Sequence, residues 1–369
     1  MSERLESDVV VVGLGPAGAS AARAAASAGA RVIAVDRRER PGEPVQCAEF
    51  VPLSLSSEVA GLSDLAVQPI EAMDTFLESD GPRRDSLPGW IVDRARFDRT
   101  LVERARAAGV DCRFSAPVAT VDADGVHLSD GTVIAAPVIV GADGPRSQVG
   151  RAIGSINTVF SHTRQITVPL LKPHVATDIF LSKSMPGGYA WLFPKGDVAN
   201  LGLGLDAPGR AFLRVLLEGL QAQLVREGRI GWDVLAITGG LIPSGGLLPP
   251  TGRIGARDVV LAGDACGLTN PITGAGIASA VISGRMAGEA AAARVAGRVD
   301  ALDDYAEEID DLFGTALDRA ARRRAAIVAA CAAGTVGTDD LERAWIAFDT
   351  YWTAPFDTDE AAPISGVAA

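Results

Sequence analysis

Four consecutive apolar residues, Val9 to Val12, break into Gly13-Leu14-Gly15-Pro16-Ala17-Gly18 and an alanine-rich stretch, and a second apolar run, Val32 to Val35, ends at Asp36. Short apolar runs bounded by turn formers read as strands buried on both faces, and the alanines between them as a helix. Further along, apolar residues at 97, 101, 102 and 105 approach i, i+4 spacing and predict a helix over 96–108, stopped by Gly109. The period then shortens. Alternating pieces at 118–121, 126–128 and 133–135, separated by Asp124-Gly125 and Asp130-Gly131, predict an antiparallel meander. Residues 137–140 and 259–262 predict two more buried strands, the second leading into a long Gly/Ala-rich helix.

Residues 156–250 have a different character. Strand-like pieces at 165–171, 178–181, 189–193 and 200–205 are joined by Gly/Pro turns, with one helix near 211–226. This predicts an antiparallel-sheet domain (66–92 and 156–250) inserted into a discontinuous nucleotide-binding domain (1–65, 93–155 and 251–300). Residues 301–369 form a charged helical region whose Pro- and acid-rich tail is expected to fray. Residues 41–52, with three prolines and Cys47, read as a loop.

The first unit carries recognisable chemistry. Gly13 permits a tight turn, Gly15 lets backbone approach a pyrophosphate, and Gly18 lets helix and strand pack closely. The helix amino terminus offers unpaired N–H groups to phosphates. Asp36 lies where an acid would hold a ribose hydroxyl, favouring FAD or NAD over NADP, although Arg37 and Arg38 directly behind it blur that preference. Asp143-Gly144 and Gly263-Asp264 each follow a buried strand, where ligands bind in a doubly wound sheet. Asn270 to Gly276 then supplies glycines before a helix. Tyr189, Trp191 and Phe193 alternate along one strand and share a face suited to an apolar ligand.

Bulk properties narrow the classes. A net charge of −12 argues against a nucleic-acid surface. Cysteines at 47, 112, 266 and 331 are too scattered for a disulfide framework, so a reducing cytoplasm is the expected setting. A first strand near residue 8 leaves no room for a leader peptide. The stretch 276–296 carries Arg285, Glu289 and Arg294, so no transmembrane span is expected, and contact is left to the membrane surface. His127, His162 and His174 stand apart, and no metal is expected.

Taken together, these motifs resemble the geranylgeranyl reductase family of FAD-dependent oxidoreductases, over about residues 8–300. Arg94-x-x-Phe97-Asp98 resembles the family's arginine helix, Gly141-Ala-Asp143-Gly144 its DG motif, and Gln46-Cys47-Ala-Glu49 its Cys-x-Glu box. Pro186-Gly-Gly-Tyr189-Ala-Trp191-Leu-Phe193-Pro194 with Gly202-Leu-Gly204 resembles its PxxYxWxFP…GxG signature. The resemblance implies an α/β architecture of the p-hydroxybenzoate hydroxylase type: a Rossmann-like FAD-binding domain, an inserted antiparallel-sheet substrate domain and a helical C-terminal region. It implies FAD held by Gly13, Gly15, Pro16, Ala17, Gly18, Asp36, Arg37, Cys47, Arg94, Asp143, Gly144, Gly263, Asp264, Pro271, Gly274 and Gly276. Tyr189, Trp191, Phe193 and Pro194 would contact substrate, with Cys47 or Glu49 on the proton side. The expected reaction is reduction of carbon–carbon double bonds in an isoprenoid or similarly apolar molecule, with NAD(P)H or ferredoxin as electron donor. A flavin monooxygenase on the same fold, or an enzyme tailoring a partner protein, is the alternative.

Overall fold

The computed structural model describes residues 3–355. Its centre is a six-stranded sheet in the order 251–254, 257–261, 138–141, 9–12, 32–35, 111–113, parallel throughout except for the outer 251–261 hairpin. Val9–Val12, Val32–Val35 and Val138–Gly141 are buried at every position. Their unbroken apolar runs follow from burial of the sheet on both faces.

The helices, in chain order, are α1 (Pro16–Ser27), α2 (Arg94–Ala107), α3 (Gln148–Ala152), α4 (Leu213–Arg226), α5 (Ile277–Val295), α6 (Ala301–Ile309), α7 (Thr315–Ala333), α8 (Thr338–Arg343) and α9 (Asp349–Thr353). α2 begins two residues earlier than its apolar spacing suggests, because the Asp93 side chain accepts the Arg96 N–H and caps it. α5 lies directly on α1. A Cβ at Gly284 would sit 2.1 Å from the Ala17 carbonyl oxygen, and one at Gly288 2.1 Å from that of Ala21, so both helices approach at backbone contact.

A strand at Arg4–Glu6, ahead of the expected start near residue 8, pairs in parallel with 133–135 and completes a four-stranded sheet with the meander. The large sheet has nine strands. Its main order is 236–238, 160–169, 198–205, 189–195, 176–181, 66–77, 83–92, 50–52, and 241–243 also pairs with 160–169. Residues 50–52, expected within a loop, are thus a short strand on the sheet's edge. One face of this sheet buries Ile166, Val168, Ala190, Leu192 and Leu201 against Leu217 and Leu224 of α4. The other buries Met73, Ile179 and Trp191 with Ile272, Ile327 of α7 and Trp345. The fraying tail expected at the C terminus lies outside the described residues.

Candidate functional site

The amino terminus of α1 forms a cradle whose walls are steric. Gly13 has φ +96°, and a Cβ there would come within 2.2 Å of the Ala142 oxygen; one at Gly18 would lie 1.8 Å from the Gly13 oxygen. Gly15, between them, faces open space within 4 Å. No side chain caps α1, and Pro16 occupies its first turn, where a missing N–H costs nothing. The first-turn N–H groups at Ala17 and Gly18 therefore remain available to an anion. Asp36, at the end of its strand, is buried and accepts the backbone N–H groups of Leu14 and Arg38, each at 2.8 Å. That pins the carboxylate beside the glycine turn. Arg37 is exposed, whereas Arg38 is half buried and its charge reaches Asp98.

Asp143 accepts the Ser147 hydroxyl at 2.5 Å and the Gln148 N–H at 2.6 Å. It anchors the start of α3, and burial pushes its carboxyl up while these donors oppose the rise. Gly144 follows with φ +84° and nothing near its missing Cβ. On the neighbouring strand, Gly263 leads to Asp264, which accepts the Thr269 hydroxyl at 2.6 Å. Burial raises the Asp264 carboxyl, with Thr269 and Arg94 pulling it back. Asn270 then shapes the turn into α5: its Oδ1 accepts the N–H groups of Ile272 and Thr273 at 2.9 and 3.0 Å. Gly274 takes φ +66°, and α5 starts at Gly276 with no side-chain cap. Pro271 is buried in this turn, its carbonyl facing the buried Arg324 of α7.

Arg94 sits between these acids. It pairs with Asp98 at 3.1 Å and also engages the Cys47 thiol. Burial works against its charge, yet Asp98 and Cys47 push its pKa up, so the guanidinium stays protonated. Glu49, two residues on, has φ 74° and is almost wholly buried. Its carboxylate accepts Lys195 Nζ at 2.6 Å, Asn200 Nδ2 at 2.9 Å and the Arg94 N–H at 3.1 Å. Three donors thus clamp the loop after Cys47 to the large sheet.

The aromatic strand faces the same region. Trp191, Gly202 and Gln165 form one row across three strands. A Cβ at Gly202 would lie 2.4 Å from the Trp191 ring, so the indole lies across the glycine and donates from Nε1 to Gln165 Oε1 at 3.0 Å. The Gln165 amide in turn donates to the Cys47 carbonyl at 3.0 Å. Tyr189 donates its hydroxyl to the Thr273 carbonyl, joining the strand to the turn before α5. Its ring is covered by Trp345, with centroids 4.7 Å apart. Phe193 packs edge-on to Phe50 at 6.3 Å. Pro194 stands on the opposite face, the parity of Ala190 and Leu192, and so does not join the aromatic row. Of the two tryptophans near the carboxyl end, Trp345 is buried, whereas Trp352 is exposed and stacked by Arg319.

Sequence reasoning missed Gln165, Lys195 and Asn200. The available signal was parity: each shares a sheet face with the Tyr189 row, and Gln165 and Asn200 are buried polar residues in otherwise apolar strands. Arg324 gave no such signal, being one of three successive arginines.

The donor set fits a flavin dinucleotide. Two uncapped helix termini, a buried acid fixed beside the glycine turn, and glycines with open space at 15 and 144 lie at the carboxyl ends of the parallel strands, where a dinucleotide binds in such sheets. Among the described residues, no group of three or more His, Cys, Asp or Glu is placed to hold a metal ion, and no helix is long and apolar enough to cross a membrane.

Residues 162–211 match the family model of the geranylgeranyl reductase catalytic domain, and residues 8–174 that of lycopene cyclase protein. The chain is 34% identical over 348 residues to digeranylgeranylglycerophospholipid reductase of Methanocella arvoryzae, covering 85% of each. A geranylgeranyl bacteriochlorophyll reductase-like protein from Thermoplasma acidophilum superposes with a TM-score of 0.79 at 24% identity, over 92% of this chain and 96% of that one. A probable FAD-dependent monooxygenase from Pseudomonas aeruginosa shares the fold at a TM-score of 0.67 and 21% identity, over 89% and 99% of the two chains.

Proposed function

We propose, for a chain that belongs to the geranylgeranyl reductase family of flavin-dependent oxidoreductases, that it holds FAD against the amino termini of α1 and α5, at the carboxyl ends of the parallel strands, and saturates carbon–carbon double bonds of an isoprenoid lipid. The Tyr189–Thr273 hydrogen bond carries the reading, because it ties the aromatic strand to the turn that opens α5. Substrate held on that strand is thereby brought against the flavin end of the crevice. Bound reduced FAD would supply a hydride to one alkene carbon.

The remaining work falls to the chain. Gly15, Ala17 and Gly18 receive the pyrophosphate, Asp36 the ribose, and the Gly274–Gly276 turn approaches the ring system. Tyr189, Trp191 and Phe193 hold the prenyl chain, and each buried CH2 contributes about 0.8 kcal/mol. An unactivated alkene needs this positioning and a water-poor site. Cys47, beside the protonated Arg94, is the better placed of the two candidates to supply the proton to the second alkene carbon. Glu49 is already held by three donors. The chain has one dinucleotide-binding motif, so NAD(P)H or ferredoxin would deliver electrons transiently.

The test is stopped-flow mixing of the anaerobically reduced protein with a digeranylgeranylated glycerophospholipid or with air-saturated buffer. Reoxidation by the lipid, with a product heavier by two hydrogens per double bond, supports the reductase. Oxygen consumption with a hydroxylated product and no saturated lipid refutes it.

A further inference from the structure

We infer that the edge of the large sheet beside α4 is a docking surface for an anionic phospholipid bilayer, through which the enzyme reaches a membrane-borne substrate. The purpose of such a surface rests on the isoprenoid-lipid reading above; its existence does not. The segment from Trp232 to Ile237 carries four large apolar side chains, at 232, 234, 235 and 237, each between 46% and 62% exposed. Only Ile237 of the four lies on the sheet's last strand, 236–238, the others leading into it, and so exposed an apolar run is an aggregation hazard unless something covers it. It lies along α4: the Gln221 side chain donates to the Trp232 carbonyl, and Ile237 and Thr238 line one wall of a groove of about 440 Å³. Phe212, just before α4, and Val215 in its first turn are also 57% and 67% exposed.

The same groove supplies the charge. Arg164, on the strand that pairs with 236–238, and Arg210 and Arg214, before and within α4, also line it. Arg214 pairs with Glu218, but among the described residues neither Arg164 nor Arg210 is held in an ion pair. Half-buried His162 lies within reach of Arg210, and the acids nearby are the exposed Asp233 and the buried Asp206. In a chain with twelve more acidic than basic groups, two unpaired arginines beside a tryptophan-led apolar ridge match a lipid surface: apolar side chains enter the acyl boundary and arginines meet phosphates.

The ridge is also continuous with the site. Immediately past Ile237, the Thr238 hydroxyl donates to the Val45 carbonyl, and the Gln46 side chain donates to the Gly239 carbonyl. Cys47 is the next residue. A bilayer seated on the ridge therefore lies at the end of the strand that grips the Cys47 loop.

The experiment is co-sedimentation of the full-length protein with sucrose-loaded vesicles of phosphatidylcholine alone, or with added phosphatidylglycerol. Turnover of a detergent-dispersed prenyl substrate is measured in parallel. Wild-type protein should bind anionic vesicles and lose binding in high salt. Arg210→Ala should weaken binding about fivefold, as expected for one arginine at such a surface. Trp232→Ser/Ile237→Ser should weaken it by roughly tenfold or more. Both variants should keep wild-type turnover in detergent, which also shows that they fold. Absence of vesicle binding by the wild type, or binding that the double variant retains, overturns the inference. So does a lipid-free dimer that the double variant dissociates, since the ridge would then cover a second copy. Failure of detergent turnover in the wild type would count against the reductase reading, leaving the vesicle result to stand by itself.

Discussion

Gly288→Ala places a methyl group 2.1 Å from the Ala21 carbonyl oxygen and 2.8 Å from its carbon, where ordinary contact begins at 3.4 Å. The obstacle is backbone inside a helix, so it cannot rotate aside, and α5 must withdraw from α1 by roughly an ångström, as overpacked cores are forced to do. Two effects oppose one another. Alanine is favoured over glycine within a helix by about 1 kcal/mol. Overpacking costs about 1–3 kcal/mol, and a rigid carbonyl places this site toward the upper end. The net expectation is a loss of about 1–2 kcal/mol, read from the urea midpoint at unchanged slope. Gly219→Ala in α4 is the control, since its added Cβ meets nothing within 4 Å; it should gain about 0.5–1 kcal/mol. Because α5 carries the Gly274–Gly276 turn, Gly288→Ala should also weaken FAD binding by fluorescence titration, while Gly219→Ala should not. A Gly288→Ala protein at least as stable as wild type would refute the reasoning, as would a change of the same sign in both variants.

Three further outcomes follow from the site. Glu49→Gln leaves Lys195, a quarter exposed, without its carboxylate, and should cost about 1–3 kcal/mol while the acidic limb of the pH–rate profile stays in place; a displaced limb would make Glu49 a proton donor instead. Burial raises the Asp264 carboxyl above its ordinary 3.8, so the folded protein binds that proton more tightly than the unfolded chain. Its contribution to stability must then fall as pH rises above 3.8 through the folded value. FAD-free Asp264→Asn should accordingly gain on wild type over that window, and parallel stability curves from pH 4 to 8 would contradict this, to the precision of urea titration. Cys266 is fully buried with its thiol pushed up to about 12 by burial, so native protein at pH 8 should leave it unlabelled by a thiol reagent that modifies the half-exposed Cys47, Cys112 and Cys331. Peptide mapping decides which thiols react.

How much of this was legible depended on how local the cause was. The glycine turn, the strands around it and the position of Asp36 follow from residues within one βαβ unit, and the chain announces them directly. Tyr189, Trp191 and Phe193 were placed on a common face by alternation alone. Pro194 was grouped with them by motif, although the same alternation sets it behind the sheet. The partners of Glu49 lie 146 and 151 positions away, and no local pattern pairs it with Lys195 and Asn200. Trp345 over Tyr189 is likewise a product of how the last helices return across the large sheet. Helix starts failed for a smaller reason: Asp93 extends α2 backward through a cap that apolar spacing does not register.

The row formed by Trp191, Gly202 and Gln165 bears on how this site can change over generations. The tryptophan and the glycine stand eleven positions apart in the chain, yet the ring occupies the volume that a side chain at 202 would need. Neither position can drift alone. A smaller residue at 191 opens a void over a bare stretch of strand and frees the Gln165 amide that steadies the Cys47 loop. A larger residue at 202 evicts the indole with the same result. A lineage that reshapes the sheet here must pass through paired substitutions, and the pair is inherited as a single character.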